Sequence, residues 1–336
     1  MTQNRSMVAD EGEALAVLPQ SGLARLVGTV SGGRWQQNVL PFAALILLVI
    51  TFSIAAPDRF PTVKNLNFIL IQSAVVAIVA LGVTFVVISG SIDLSVGSVV
   101  ALSGICAALV AVEHGAVAGV IVGLGTGALA GLFNGICFAY LKVPSFIVTL
   151  GTLSIARGLT ILVSKSQPVL VPEGIAQLGV TPGIYIVAAI ALVAGAILLR
   201  YTSFGRYTTA IGGQETVASH SGVPVRRVKI LLFLLSGVAA GLGGLVLAGR
   251  VGAATPTAAM GMELTAIAAV VLGGTPLTGG IGGVINTVVG ALIITILLNG
   301  LVILGVSSEL QMVCQGLVLI TAVLISLDRR KIGIIK

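Results

Sequence analysis

Long apolar runs joined by short polar segments dominate the chain from Val39 onward. They read as Val39–Ala56, Phe68–Ile88, Val96–Val112, Ala116–Leu141, Phe146–Val163, Ile184–Leu199, Ile230–Ala248, the short Leu264–Leu272, Ile281–Leu304 and Leu310–Leu327. A helix needs about 20 mostly apolar residues to cross a bilayer, and most of these runs approach or exceed that. A membrane barrel would alternate over roughly 10-residue strands, whereas Phe42–Ile54 and Ile184–Leu199 are unbroken. Inside lipid each backbone amide must be satisfied within its own segment, which selects helices. The pattern predicts an all-α fold, a polytopic transmembrane helical bundle of about 10 spans (roughly 8–10) with interrupted helices.

The domain division follows. Residues 1–37 form a polar cytoplasmic tail, 38–328 the transmembrane domain and 329–336 a cytoplasmic C-terminal tail. The first run starts too far in, and is too long, for a cleaved signal peptide. Trp35 stands where an interfacial aromatic belongs.

Two polar breaks interrupt the apolar pattern, at Ser89-Gly90-Ser91-Ile92-Asp93-Leu94-Ser95 and at Gly273-Gly274-Thr275-Pro276-Leu277-Thr278-Gly279-Gly280. Irregular backbone at membrane depth is tolerated only against protein or a water-filled cavity, and paired broken helices mark transport pathways. A tight turn between spans is the other reading. Ala77–Ile88 and Ala266–Gly274 resemble one another weakly, as an internal repeat would.

Only 9% of the 336 residues are charged and 57% are hydrophobic, far from the roughly 25% charged of a soluble domain. The net charge of +7 does not point to nucleic acid, because the cations sit between the runs. With the N-terminus inside, 13 of the 18 Lys and Arg fall in cytoplasmic segments, four outside (Arg59, Lys64, Lys165, Arg250), and Arg157 within a span. That is the positive-inside pattern, with both termini cytoplasmic. Glycine is abundant, 44 residues, and Gly123, Gly127, Gly131 and Gly237, Gly241 recur every four positions, which reads as close helix packing. Cys106, Cys137 and Cys314 lie in apolar runs without metal spacing and read as small buried hydrophobes.

The candidate chemistry is sparse. Asp93 either sits near an interface, or caps the third span by accepting from the amides near Ser95 and Val96, or lines a polar pathway. Arg157 either snorkels or faces a cavity. Glu263 starts the eighth run, near the outer side, where it would meet a solute hydroxyl or a soluble partner, or stand as an interfacial residue. Asn299 is a helical amide of the kind that usually bonds a neighbouring helix. Asp93, Ser95, Arg157, Glu263 and Asn299 are therefore the candidate pathway residues. The segment 200–229 holds a stretch able to form a short helix, with Glu215 at its N-terminal dipole, Gly222 as C-terminal cap and Pro224 preventing continuation. Such a knob suits docking; an ordinary charged loop is the plainer reading. No Gly precedes a Lys anywhere, so a phosphate-binding loop is excluded, and no HExxH, GxSxG or Cys/His cluster suggests an enzyme.

Several runs together resemble a known family. They are Ser89-Gly90-Ser91-Ile92-Asp93-Leu94-Ser95-Val96-Gly97-Ser98; Pro144-Ser145-Phe146-Ile147-Val148-Thr149-Leu150-Gly151-Thr152 with Arg157-Gly158; Phe204-Gly205-Arg206-Tyr207 leading to Ala210-Ile211-Gly212-Gly213; Val270-Val271-Leu272-Gly273-Gly274-Thr275 with Gly279-Gly280; and Leu298-Asn299-Gly300 with Gly305-Val306. The chain resembles the membrane permeases of ABC importers for ribose, xylose, arabinose, galactose and related compounds over about residues 40–328. It departs at Ser91, where the family usually has Gly. The resemblance implies a bacterial inner-membrane permease, homodimeric or pseudo-dimeric, that carries a small sugar. It further implies a cytoplasmic ATPase, which holds ATP and Mg, and a periplasmic binding protein, with no cofactor in this chain. It makes the stretch from Gly212 to Pro224, including Glu215, Ala218 and Gly222, the coupling helix seated on the ATPase. Related permeases for branched-chain amino acids, which lack the Ile-Asp-Leu-Ser-Val-Gly run, are the alternative, with other solutes such as a nucleoside or autoinducer. An ion-coupled secondary transporter would need intramembrane acids, for which only Asp93 and Glu263 qualify.

Overall fold

The computed structural model describes residues 34–326. Of the tails expected over 1–37 and 329–336, residues 1–33 and 329–336 lie outside the described residues, and 34–37 are helical. The chain separates into Met1–Gln37 and Asn38–Lys336; of the first unit only 34–37 are described, all helical. The following concerns the second unit.

Thirteen helices and two two-residue strands make up the described residues. They are α1 (Arg34–Ala55), α2 (Val63–Ile88), α3 (Val96–His114), α4 (Ala116–Tyr140), α5 (Ser145–Ser164), β1 (Val169–Leu170), α6 (Glu173–Gly179), α7 (Gly183–Tyr201), α8 (Ser203–Gly213), α9 (Glu215–His220), α10 (Val225–Val251), β2 (Ala253–Ala254), α11 (Met262–Leu272), α12 (Val284–Ile303) and α13 (Ser308–Ser326). Every apolar run read from the sequence falls on one of them. Seven, α2–α5, α7, α10 and α12, are long and apolar enough to cross a membrane. Val39–Ala55, α11 and Ser308–Leu324 are shorter apolar helices. The chain is a polytopic helical bundle. At 1.5 Å per residue α11 reaches only about 16 Å, roughly half a hydrocarbon core of about 30 Å, so the eighth run is a half-span.

Burial ranks the helices. The apolar window of α2 is 83% enclosed, against 22% for α4 and α5 and 17% for α7. Thus α2 runs through the centre, packed against α10, α12, α11 and one side of α7, and α4, α5 and α7 expose most of their apolar surface, as lipid-facing helices do. The centre of the largest cluster is made of small or branched side chains, among them Val79, Ala80, Val83, Ala240, Ala268, Ala269 and Ala291.

Glycine lets α4 and α10 cross backbone to backbone. A β-carbon at Gly127 would overlap the Gly237 carbonyl oxygen, and one at Gly131 the Phe233 carbonyl oxygen. One at Gly241 would lie 2.9 Å from the Gly123 oxygen. The four-residue spacing therefore does bring backbone against backbone.

The two breaks end their helices in the same way. After α2, Gly90 (φ +76°) and the donation from Ser91 N–H to Val86 O (3.1 Å) close the last turn. After α11, Gly274 (φ +89°) and the donation from Thr275 N–H to Val270 O (3.1 Å) do so. This is the glycine-terminated cap that satisfies orphan helix carbonyls, and it gives the weakly similar stretches a shared geometry.

Candidate functional site

The capped knob expected within 200–229 is present as α9. Glu215 opens it and its carboxylate pairs with Lys229 at 2.8 Å. At the far end Gly222 (φ +84°) donates to Ser219 O and Val223 N–H donates to Ala218 O, both at 3.1 Å. That is a Schellman closure, which needs the positive φ that Gly adopts freely. Ala218 is 3% exposed and packs inward beside Leu232, Phe233 and Ile211, so it anchors α9 instead of facing outward. Thr216, Val217, Ser219 and His220 form the exposed side. The loop also contains α8, which the sequence reading did not separate; Thr202 caps it by accepting from Gly205 N–H at 3.4 Å.

The end of α8 touches both breaks. A β-carbon on Gly212 would overlap the Ile88 carbonyl oxygen and lie 2.5 Å from Gly280 N. That same Ile88 carbonyl accepts from Gly280 N–H at 2.8 Å. A β-carbon on Gly279 (φ +76°) would lie 2.6 Å from Gly90 N. Three segments distant in sequence thus meet backbone to backbone, with no side chain between them.

Asp93 and Ser95 belong to one sealed polar chain. Asp93 is 1% exposed. Its Oδ1 accepts from Ser95 N–H (3.0 Å) and Ser95 Oγ–H (2.6 Å), and its Oδ2 from Ser236 Oγ–H of α10 (2.8 Å). Asn134 Nδ2–H of α4 donates to Ser95 Oγ (2.9 Å), and Thr152 Oγ1–H of α5 donates to Asn134 Oδ1 (2.5 Å). Buried polar groups are tolerable only when bonded in this manner. Of the three placements open to Asp93, the geometry puts its carboxylate beside the start of α3, accepting from the N–H of Ser95, the residue preceding the helix. Around it the network ties the first break to α4, α5 and α10.

Arg157 and Glu263 lie elsewhere, within electrostatic range and without a direct ion pair among the described residues. Arg157 Nη1 donates to Pro256 O (2.7 Å) and Ala258 O (3.0 Å), and Glu263 lies within electrostatic range of it. A β-carbon at Gly97 would overlap the Glu263 carboxylate and lie 2.7 Å from Ala259 O. Gly97 is in the first turn of α3, about 25 Å along that helix from the α3–α4 turn. Glu263 therefore stands inside the bundle, not near an outer edge. Hydropathy alone misplaces it because Gly252–Gly261, rich in small residues, descends between the helices before α11 begins.

Asn299 is apart from both groups. It exchanges hydrogen bonds with Asn65 at 3.1 and 2.9 Å, fixing the start of α2 to α12.

Residues 65–323 match the family described as branched-chain amino acid transport system / permease component. The ribose import permease protein RbsC of Escherichia coli (strain K12) is 40% identical over 90% of this chain and 98% of its own length. The chain belongs to this permease family. The RbsC of Bacillus subtilis (strain 168) is 41% identical over 88% of this chain and 94% of its own. The L-arabinose ABC transporter permease protein AraH of Azospirillum brasilense is 35% identical over 89% and 91%. No solved structure matches the chain.

Within this permease, the residues that sequence reading missed are partners, not motifs. Ser236, Asn134 and Thr152 are single polar residues on three separate helices. Gly97 and Ile88 matter through a missing side chain and a backbone carbonyl. The permeating-solute candidates resolve into one sealed group (Asp93, Ser95), one half-exposed group (Arg157, Glu263) and one structural amide (Asn299).

Proposed function

We propose that this chain is the membrane-spanning permease subunit of an ATP-driven importer for a monosaccharide, working as a dimer in the bacterial inner membrane. The observation that carries the reading is α9, a six-residue helix closed at its C-terminal end, clamped to the bundle through Ala218 and Lys229, and presenting Thr216, Val217 and Ser219. It is built to receive a push from a separate protein, and with α8 it leads directly to the paired breaks. The motor is a cytoplasmic ATPase that carries ATP and Mg, and α9 together with both termini lies on its side. A periplasmic binding protein delivers the solute to the opposite end, where Glu173 of α6 is exposed. The names of the relatives, ribose and arabinose permeases, favour a sugar over a branched-chain amino acid. An ion-coupled transporter is disfavoured because Asp93 is sealed by three donated hydrogen bonds.

Transport alternates access: closure of the ATPase moves α9, Gly212 shifts against Ile88 and Gly280, and the path between two permease copies opens. A solute has to bind the two states differently to bias them. The test is reconstitution with ATPase and binding protein in proteoliposomes, using labelled D-ribose, L-arabinose and D-allose without an ion gradient. ATP-dependent uptake of one sugar is expected, and deletion of Glu215–Ser221 abolishes it. Undiminished uptake after that deletion, or uptake without nucleotide, sinks the reading.

A further inference from the structure

Lys229, near the start of α10, has little access to water. Its side chain is 12% exposed, against 51% for its partner Glu215. The ammonium donates to the Glu215 carboxylate at 2.8 Å. The same nitrogen lies 4.2 Å from the centre of the Phe138 ring, in the last turn of α4. A cation over an aromatic face is attracted by the ring's quadrupole, so the contact depends on the charge and not on shape alone. Lys229 therefore joins three elements: α9 through Glu215, α10 through its own backbone and α4 through Phe138.

The contact does not stop at that ring. Phe138 meets Phe233 of α10 edge to face, with ring centres 5.6 Å apart, and Phe233 is fully buried. Residues three and four apart share one face of a helix. On α10 that rule aligns Lys229, Phe233 and Ser236, and on α4 it aligns Phe138 with Asn134. Ser236 and Asn134 are the groups that donate to Asp93 and Ser95 in the first break. The seam between these two faces has no slack. A β-carbon at Gly131 would overlap the Phe233 carbonyl oxygen, and one at Gly135 would lie 2.8 Å from the Ile230 α-carbon. Interiors packed this closely transmit a displacement instead of absorbing it.

We propose that Lys229 is a positioning residue that carries movement of α9 into the α4–α10 seam, and through the Phe138–Phe233 ring pair to the two side chains holding Asp93 and Ser95. This route shares no side chain with the one through α8 and Gly212, yet both arrive at the first break. It rests on the permease reading above and adds to it a second line from the docking helix into the membrane.

The experiment uses the complete importer in proteoliposomes with labelled D-ribose, L-arabinose and D-allose. It measures sugar imported per ATP hydrolysed, and hydrogen exchange over residues 89–98 with and without ATP. Lys229→Met keeps the reach and loses the charge; it is expected to lower the ratio about three- to tenfold, the range that residues remote from both ligands exert on coupling. It is also expected to diminish the ATP-dependent change in exchange. Lys229→Arg keeps a cation over the ring and recovers most of the wild-type ratio. Phe138→Leu leaves the Glu215–Lys229 pair in place and still lowers the ratio, and the K229M/F138L double variant falls no further than Lys229→Met alone, because contacts in series are not additive. A wild-type ratio or wild-type exchange in Lys229→Met, an arginine variant no better than the methionine one, or losses that multiply in the double variant would each overturn the route. Dissociation of the ATPase from the Lys229→Met permease would overturn it too, leaving the lysine a peg for α9 alone. Wild-type vesicles that import none of the sugars overturn the permease reading and the route with it.

Discussion

Gly212 and Gly213 are neighbours at the end of α8 and offer a matched pair of substitutions. A β-carbon at Gly213 meets nothing within 4 Å, whereas one at Gly212 meets the Ile88 carbonyl and the Gly280 amide. Both changes to Ala gain helix propensity, up to about 1 kcal/mol. Only Gly212→Ala overpacks its surroundings, at about 1–3 kcal/mol. It also forces apart the Gly280–Ile88 hydrogen bond, worth about 0.5–1.5 kcal/mol. The difference leaves Gly212→Ala destabilised by about 1–3 kcal/mol and Gly213→Ala neutral or slightly stabilised. At about 2–4 °C per kcal/mol for a large domain, thermal unfolding in detergent resolves the two. The second readout is coupling in the reconstituted importer, as sugar imported per ATP hydrolysed. Gly212→Ala lowers that ratio because its contact joins α8 to both breaks; Gly213→Ala keeps it. Equal melting and equal coupling for the two variants would refute a close-packed junction at Gly212.

Gly127→Leu should separate α4 from α10 and cost about 3 kcal/mol or more, seen as loss of folded protein on size-exclusion chromatography, because the Gly237 carbonyl leaves no room. In an Asn65→Leu, Asn299→Leu double-mutant cycle read by thermal unfolding, a coupling energy of about 0.6 kcal/mol or above is expected for the reciprocal amide pair. Glu215→Gln, which removes the charge of the half-exposed partner and leaves Lys229 against Phe138, should cost no more than about 1 kcal/mol in thermal unfolding, and that loss should shrink at high salt.

The helices were legible because each apolar run is long and its ends carry polar or glycine punctuation; Gly222 and Pro224 even announced the closure of α9. Elements without periodicity were not. The seven-residue α6 and the paired strands β1 and β2 are too short to show a repeat. The depth of Glu263 was misread for a physical reason: a window of hydropathy treats each run as surface to surface, and Gly252–Gly261 is only mildly polar. The Asp93 network was half legible. An acid before a helix start is a local signal, but Ser236 lies 143 residues away and nothing in its own segment announces the pairing. Small residues carried more of the site than charged ones, and the absence of a side chain acquires meaning only once the neighbour is known.

The two-residue sheet has a mechanical consequence. Val169 pairs with Ala254 and Leu170 with Ala253, and Val171 N–H donates to Gly252 O at 3.1 Å. The loop between α5 and α7 is therefore stitched to the strand that, two residues beyond Ala254, supplies the Pro256 carbonyl gripping Arg157. Displacing that loop draws on the guanidinium's anchorage, so a force applied between α5 and α7 is passed through two residue pairs to a half-buried charge in the middle of α5.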